Sequence, residues 1–228
     1  MTLHAFYCTE RAGAARLSDG GGPFGFDVTL ALIIDDLVAE YSCDAIAETG
    51  CFVGDTTTYL ARRYPRLPIY SCDNDAWCAS FTQHRLAHHR NVTVECADSP
   101  SLVTAVVARH ELPLFYLDAH WGDQWPLARE LAAITAGVAV IHDFDIGHPR
   151  FAFDIYDGVA CGPSMLAAMP SPPPFYFIPD PQADHPLPCL QTGRRAGAGI
   201  VAIGVDTGPL TEHPRLITCD VTARTVAR

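Results

Sequence analysis

The sequence predicts an α/β fold: a Rossmann-like, doubly wound sheet of seven strands, mostly parallel with the last strand antiparallel, and with helices on both faces. From residue 44 onward, short apolar segments with strand character alternate with helical segments. Such alternation is typical of a parallel sheet with right-handed crossovers. Two further observations agree with it: the first strand runs into a glycine-punctuated turn, and a polar residue follows each of the first five strands.

The five strand–helix units lie between residues 44 and 143. We predict strands at 45–48, 69–73, 92–97, 114–118 and 137–142, separated by helices at 55–63, 75–88, 100–110 and 124–134. Pro65 ends the first of these helices, because proline cannot continue a helix. Ligands of open parallel sheets bind beyond the carboxyl ends of the strands. The polar residues at those ends, Glu48, Asp73, Asp98, Asp118 and the His142-Asp143 pair, therefore predict one ligand site.

The two ends of the chain lie outside this alternation. Residues 1–26 have no regular pattern, and Asp27 suits the cap of a helix over 28–41, where apolar residues recur at i, i+3 and i+4. This apolar helix could bury against a second subunit, so a homo-oligomer is one interpretation.

After Asp143 we predict a short helix near 163–169 and strands at 175–178 and 199–205, antiparallel because no helix joins them. We treat residues 1–228 as a single domain, with an arm and helix over 1–43, a ligand-binding core over 44–143, and a substrate-side insert and C-terminal hairpin over 144–228.

The composition excludes several classes of function. A formal net charge of −11 and a pI near 5.2 argue against a nucleic-acid partner, since phosphate binding needs a basic face. No apolar run approaches the ~20 residues of a membrane span, and the N-terminus lacks the basic and apolar parts of a signal peptide. We therefore expect a cytoplasmic protein without a membrane partner. All 15 basic residues are arginine, which excludes a lysine Schiff base.

Nine cysteines are present, and none forms a C-x-x-C pair. Several of them, such as Cys72 and Cys96, fall in apolar strand-like segments. This distribution predicts buried free thiols in a reducing compartment, with a disulfide or metal scaffold as the alternative.

The turn after the first strand is the strongest local indication of a ligand site. Glu48 closes the strand, and Gly50 and Gly54 allow a tight backbone turn that a ligand can approach. Thr56 suits the first turn of the next helix, whose free N–H groups face that ligand. The spacing Glu-x-Gly-x-x-x-Gly differs from the Gly-x-Gly-x-x-Gly that seats a pyrophosphate, which argues against a nicotinamide dehydrogenase.

Two acidic positions extend this site along the sheet. Asp73 ends the second strand, 25 residues after Glu48, where a carboxylate can accept hydrogen bonds from both ribose hydroxyls. The alternative is a helix cap, for which Asp75 is better placed. Asp98, followed by Ser99, can meet the exocyclic amine of a base, or can simply cap the helix over 100–110.

Together these residues resemble the successive motifs of class I S-adenosylmethionine-dependent methyltransferases. The resemblance rests on Glu48-Thr-Gly-Cys-Phe-Val-Gly54, Asp73, Asp98-Ser99 and Leu117-Asp118-Ala-His. It covers roughly 44–145, with a compatible hairpin at 175–205. The chain is most similar to small-molecule O-methyltransferases of the catechol, macrolide-sugar and cephamycin-pathway type.

The resemblance implies roles for individual residues around S-adenosylmethionine. Glu48 and Gly50 would lie near the methionine moiety, Asp73 on the ribose, and Asp98 with Ser99 by the adenine. Thr56 matches a Ser/Thr that follows the last glycine of the first motif, and Asp118 would lie next to the sulfonium. The chain departs from the family in two ways. It has no lysine near the active site, and it has only His142-Asp143 where several metal-dependent members carry two adjacent carboxylate or amide ligands.

The Asp118-Ala119-His120-Trp121 turn is the candidate reactive centre. His120 can have a pKa near neutrality, so it is our candidate general base for a hydroxyl nucleophile; the alternative is a structural histidine that bonds a loop carbonyl. Asp118 at the end of a buried strand is ionised only if it is paired with a cation, a metal or hydrogen-bond donors. Trp121 and Trp125 are candidate walls for a flat or apolar substrate, or ordinary core residues.

Asp143 ends the strand next to Asp118, so the two carboxylates could orient His120 or bracket one Mg²⁺ that polarises a substrate hydroxyl.

We predict methyl transfer to a small-molecule acceptor, at oxygen, in specialised metabolism. The same cofactor could instead react at its aminocarboxypropyl arm, by cyclisation with release of methylthioadenosine or by arm transfer. A binuclear metallohydrolase of the ureohydrolase kind is a weaker alternative, because the chain lacks that family's Gly-Gly-Asp-His and Asp-x-Asp stretches. A binding module without activity would have little need of His120.

Overall fold

A computed structural model describes residues 2–12, 21–119, 125–183 and 196–221 of the chain. The strands in these ranges are β1 (Ile46–Thr49), β2 (Ile69–Asp73), β3 (Val92–Cys96), β4 (Leu114–Leu117), β5 (Gly137–His142), β6 (Ile155–Tyr156), β7 (Val159–Ala160), β8 (Phe175–Pro179), β9 (Ala198–Ile203) and β10 (Leu216–Asp220). The helices are α1 (Thr2–Tyr7), α2 (Val28–Glu40), α3 (Asp55–Arg63), α4 (Ala76–Arg85), α5 (Ser99–Val107), α6 (Leu127–Ala133), α7 (Pro163–Ala167) and α8 (Gly208–Thr211), with a 3-10 helix at Pro23–Phe26.

The main sheet has the order β10-β8-β9-β5-β4-β1-β2-β3. Strands β1 to β5 pair in parallel, β9 is antiparallel to β5, and β8 and β10 continue the sheet by antiparallel pairing. This confirms the α/β class and the mostly parallel, doubly wound sheet. Between β1 and β4 the chain order reverses, and such a switch point is where open α/β sheets bind ligands.

The predicted strand number is corrected from seven to eight in the main sheet. The additional strand is β10, which lies at the sheet edge against β8 and keeps several side chains exposed. A separate two-stranded hairpin, β6-β7, interrupts the segment that follows β5. Neither element has the apolar continuity of a buried strand, which explains why the sequence pattern did not predict them.

Both faces of the sheet are covered. Adjacent residues of a strand point to opposite faces, and Tyr116 of β4 joins the cluster that contains α2 and α3, while Phe115 joins the cluster that contains α5 and α6. Both side chains are fully buried. Strands β4 and β5 are therefore apolar almost to their ends, and Ser71 in the middle of β2 is a buried polar group that bonds to Glu48.

The N-terminal prediction is right in one part and wrong in another. Asp27 caps α2 as predicted, because its Oδ1 accepts from Thr29 N at 2.9 Å and Leu30 N at 3.3 Å. Residues 1–26 are not wholly irregular, since they contain α1 and the 3-10 helix. The apolar face of α2 is buried within the same chain, against α1, the 3-10 helix and α8. The homo-oligomer stays a prediction, and its support no longer comes from an uncovered face of α2.

The described cysteines are all free thiols, and those at 43, 51, 72, 78 and 161 are buried, as predicted. For Cys96 the prediction was wrong: it lies at the end of the edge strand β3 and is exposed, as is Cys8. Among the residues with a described structure, none forms a helix with the length and hydropathy needed to cross a membrane.

Candidate functional site

A cavity of about 760 Å³ lies at the carboxyl ends of the parallel strands. This volume is in the range of small-molecule sites, about 300–1,000 Å³. The described residues that the sequence assigned to the cofactor and the reactive centre, Trp125 excepted, line this cavity: Glu48, Gly50, Thr56, Asp73, Asp98, Ser99, Asp118 and Asp143. The prediction for His120 and for Trp121 falls outside the described residues.

The glycines of the turn are required by contacts within the chain itself. Gly50 has φ 78°, and a Cβ there would lie 2.6 Å from the carbonyl oxygen of Asp118. Gly54 has φ 74°, and its Cβ would lie 2.7 Å from Cγ2 of Thr82 on α4. Both positions are in the left-handed region that favours glycine. The turn after β1 therefore packs directly on the end of β4, which sets the position of Asp118.

Substitution Gly50→Ala should lower the free energy of unfolding by roughly 2 kcal/mol or more, from the left-handed backbone and the clash with Asp118 together. Urea denaturation at constant pH measures it. Gly158→Ala is the matched control: Gly158 has a similar φ of 76°, but a Cβ added there would have no neighbour within 4 Å, so only the backbone cost applies. Equal losses in the two variants would contradict the packing role of Gly50.

Glu48 lies beneath the cavity floor and is only 1% exposed. Its Oε2 accepts hydrogen bonds from Thr57 Oγ1 at 2.5 Å and Ser71 Oγ at 2.6 Å. Burial raises the pKa of Glu48 to about 8, and the negative charges of Asp118 and Asp73 contribute in the same direction. Glu48 is therefore a mostly neutral acid at pH 7, and it ties β1 to α3 and β2.

This pKa predicts an unusual pH dependence of stability. Between the ordinary value of 4.5 and the folded value of about 8, the folded state holds a proton on Glu48 that the unfolded state has lost. The free energy of unfolding contributed by this group therefore falls as pH rises through that window, by on the order of 2–4 kcal/mol. Glu48→Gln cannot titrate at this position. Its free energy of unfolding, compared with that of wild type at the same pH, should therefore rise from pH 5 to pH 8. A difference between variant and wild type that is constant over this range would contradict the assignment.

Asp73 holds the glycine turn in place. Its Oδ2 accepts from Phe52 N at 2.9 Å, and its Oδ1 accepts from Asp75 N at 3.0 Å. The cap of α4 is Asp75, which accepts from the backbone N–H groups of Trp77 and Cys78 at 2.8 and 2.9 Å. Asp73 is therefore not the cap of α4. Its carboxylate lines the cavity with further acceptor capacity.

Asp98 is paired with Arg129 of α6, at 3.3 and 3.4 Å between the guanidinium nitrogens and the two carboxylate oxygens. Its side chain makes no capping hydrogen bond to α5, so the helix-cap alternative is again not observed. Ser99 next to it is buried. Arg129 lines the cavity and was not identified from the sequence, where a lone arginine in a helix carries no pattern.

At the ends of β4 and β5, a buried histidine lies between two carboxylates. His142 Nδ1 is 3.0 Å from Asp118 Oδ1 and 3.3 Å from Asp143 Oδ2. Burial alone would lower the pKa of His142, but the two carboxylates raise it well above its usual value. Tyr116 donates its hydroxyl to Asp118 Oδ2 at 3.3 Å. The strand-terminal Asp118 is thus paired with a cation, as its ionisation requires.

The same three side chains form a candidate metal centre. One ligand atom from each of Asp118, His142 and Asp143 lies within 4.8 Å of the others. The sequence prediction named the two aspartates, and the structure adds His142. Asp143 has φ 52° directly after β5, and this turn of the backbone lets consecutive residues reach the same site. A mixed set of nitrogen and oxygen donors suits a transition metal or Mn²⁺ better than Mg²⁺.

The arm contributes part of the cavity wall. Ala12, Gly21, Gly22 and Gly25 line it. None of residues 144–174 does, so their role in a substrate pocket stays a prediction. Trp125 packs with Tyr156 of β6, with ring centroids 6.3 Å apart, and is not part of the lining. For Trp125 the contacts are those of a packing residue.

No family model and no curated protein sequence matches this chain. Solved structures do. One is the plantazolicin methyltransferase BamL with a triazolic desmethylPZN analogue and SAH, at 14% identity and TM-score 0.40, over 51% of this chain and 45% of that one. Another is coclaurine N-methyltransferase bound to N-methylheliamine and SAH, at 17% identity and TM-score 0.36, over 50% and 35%.

A third is an rRNA methylase from Streptococcus thermophilus, at 14% identity and TM-score 0.46, over 76% of this chain and 95% of that one. The chain spans about half of the length of the first of these structures. At such identities the comparison concerns the fold and leaves substrate and mechanism open. Parts of this chain are similar to these three methyltransferase structures.

Proposed function

We propose that this protein binds S-adenosylmethionine and transfers its methyl group to a small-molecule acceptor, at oxygen, in specialised metabolism. The observation that carries the proposal is the charge of the cavity at the switch point of the sheet. Besides the neutral Glu48, six carboxylates line it, from Asp55, Asp73, Asp75, Asp98, Asp118 and Asp143, and the charge of Asp55 is neutralised by Arg85. Among the described lining residues, the basic side chains are Arg129 and His142.

This charge pattern fits a sulfonium nucleoside better than a phosphorylated one. Acidic side chains favour a cation and repel a pyrophosphate, whose usual seat is a row of backbone N–H groups without opposing carboxylates. The carboxylate of Asp55, held by Arg85 at the first position of α3, lies where such a seat would be. When bound, the cofactor supplies an electrophilic methyl group.

Asp73 is the residue we assign to the ribose hydroxyls. Its two oxygens are already oriented by Phe52 N–H and Asp75 N–H, so the carboxylate is fixed before a ligand arrives. Asp98 and Ser99 are assigned to the base. Gly50 and Thr56 keep the turn open toward the methionine end, above the neutral Glu48.

Asp118, His142 and Asp143 are assigned to the reactive end. With its raised pKa, His142 holds its proton at neutral pH and cannot itself accept one. It keeps both carboxylates charged and in place beside the cavity. His120 remains our candidate base, two residues after Asp118 in the chain. If a metal binds here, the same three residues would hold it, and it would polarise the acceptor hydroxyl.

Mass spectrometry of the products tests the proposal. The protein is incubated with S-adenosylmethionine and a panel of hydroxyl-bearing acceptors, with and without EDTA. Methyl transfer is supported if S-adenosylhomocysteine forms only when an acceptor is present and the mass of that acceptor increases. Methylthioadenosine without an acceptor would instead show reaction at the aminocarboxypropyl arm. Equal rates with and without EDTA would remove the metal role from Asp118 and Asp143.

A further inference from the structure

In the described part of the arm, Arg85 joins the arm to the wall of the cavity. Arg85, the last residue of α4, is largely buried, with its side chain 14% exposed. Its Nη1 donates to the carbonyl of Val53 at 2.6 Å and to Asp55 Oδ1 at 2.6 Å, and its Nη2 donates to the carbonyl of Glu10. One guanidinium thus joins α4, the glycine turn, the start of α3 and the arm.

Asp55 completes the connection. Its Oδ1 accepts from Arg85 and also from the backbone N–H of Ala12 at 3.0 Å, and its side chain is 7% exposed. Ala12 lines the cavity. The carboxylate at the first position of α3 is therefore used to hold the arm, and its charge is neutralised by Arg85 rather than offered to a ligand.

The other half of the arm is tied down close by. Phe24 donates its backbone N–H to Thr56 Oγ1 at 3.0 Å, in a buried contact next to Asp55. Arg11 Nε donates to the carbonyl of Gly21 at 2.7 Å, so the two parts of the arm that line the cavity are joined to each other. Loss of the contacts at Arg85 would free the wall that Ala12 and Gly21 provide.

We propose that Arg85 is a positioning residue that holds the N-terminal arm as a wall of the cofactor cavity, and that it thereby sets the rate at which a bound nucleoside leaves. The inference rests on the proposed function for the identity of that nucleoside. The arm contacts are backbone groups of Glu10 and Ala12, so the guanidinium and not the arm sequence determines the attachment. Charge-assisted hydrogen bonds from a planar, multidentate donor give this kind of fixed geometry.

The test compares Arg85→Met with a matched control, Arg62→Met. Arg62 donates to the carbonyl of Cys8 at 2.8 Å, on the same arm but away from the cavity. The probe is S-adenosylhomocysteine. Calorimetry measures its Kd, and stopped-flow fluorescence measures the rate at which it is released. Arg85→Met should weaken binding about tenfold, mainly through faster release, since one or two charged hydrogen bonds are lost. Arg62→Met should stay within about twofold of wild type.

Hydrogen exchange of the ligand-free proteins gives a second measurement. Amides at residues 10–12 and 21–26 should exchange faster in Arg85→Met than in wild type, and Arg85→Lys should restore part of the protection. Because Arg85→Met leaves Asp55 buried without its cation, the double variant Arg85→Met/Asp55→Asn serves if the single one does not fold.

A folded Arg85 variant with wild-type release rate and wild-type arm exchange would overturn the inference. If wild type itself does not bind S-adenosylhomocysteine, the proposed function fails. The exchange measurement on the ligand-free chain then still decides whether Arg85 holds the arm.

Discussion

Replacing Asp73 with Ala should weaken the affinity for S-adenosylmethionine about 100-fold. A carboxylate that accepts from two ribose hydroxyls makes two charge-assisted hydrogen bonds, each with a net contribution of about 1.5–3 kcal/mol. The effect is large here because the carboxylate is already fixed by Phe52 N–H and Asp75 N–H, so it costs little to order on binding. Calorimetric titration of the variant with the cofactor measures the change.

The same two contacts mean that Asp73→Ala also loosens the glycine turn. Asp73→Asn separates the two effects, because it keeps the shape and one acceptor oxygen but removes the charge. Asp75→Asn is the matched control at the cavity edge. Asparagine caps a helix about as well as aspartate, so α4 remains capped and affinity should change less than about threefold. Wild-type affinity in a folded Asp73→Ala protein would remove the ribose assignment.

Replacing Asp118 with Asn should lower the turnover number by roughly 10²–10⁴-fold, the range typical of groups that take part in proton transfer or its positioning. The substitution removes the charge from the shorter of the two ion pairs to His142, and one amide oxygen cannot replace the two carboxylate oxygens that contact His142 and Tyr116. It also replaces a charged candidate metal ligand with a neutral one. Under the proposed function, the charge of Asp118 is required at this point of the cavity.

The control for this prediction is Asp145→Asn. Asp145 accepts from Gly147 N at 2.8 Å and does not line the cavity, so its variant should retain turnover. Steady-state rates and product analysis of both variants make the comparison, together with thermal unfolding to confirm that each is folded. Turnover of Asp118→Asn within about threefold of wild type would contradict its place at the reactive end.

Most of the sheet could be predicted because its strands are buried on both faces. The predicted limits of β2 and α3 are those observed, and Asp27 caps α2 as expected. Edge elements gave no such signal. In β10 only part of each face is covered, so neither strict alternation nor an apolar run marks it. The helix α1 is six residues long and owes its helical form to packing of Phe6 on Phe26 and Tyr59, which no local pattern reveals.

The lining of the site was predictable for a topological reason. Residues that end parallel strands meet at one edge of the sheet, so Asp73, Asp98, Asp118 and Asp143 had to converge once the strands were placed. What sequence could not give is the partner of each carboxylate. Arg129 on Asp98 and Arg85 on Asp55 come from other elements and follow no spacing rule.

His142 illustrates the same limit. Its position before Asp143 was evident, but whether a strand-terminal histidine points into the core or the cavity depends on the backbone turn that follows, where Asp143 has φ 52°. The two neighbouring carboxylates then determine its charge. A sequence search for histidine between two strand-terminal aspartates of adjacent strands could have found it.

Calorimetric titration of the wild-type protein with S-adenosylmethionine tests the central claim most directly. The acidic cavity at the switch point predicts saturable binding with one site per chain and a Kd at or below the micromolar range. In parallel titrations, NADH should not bind, because its pyrophosphate would face the same carboxylates. No heat at high micromolar S-adenosylmethionine, or binding of NADH in its place, would contradict the account.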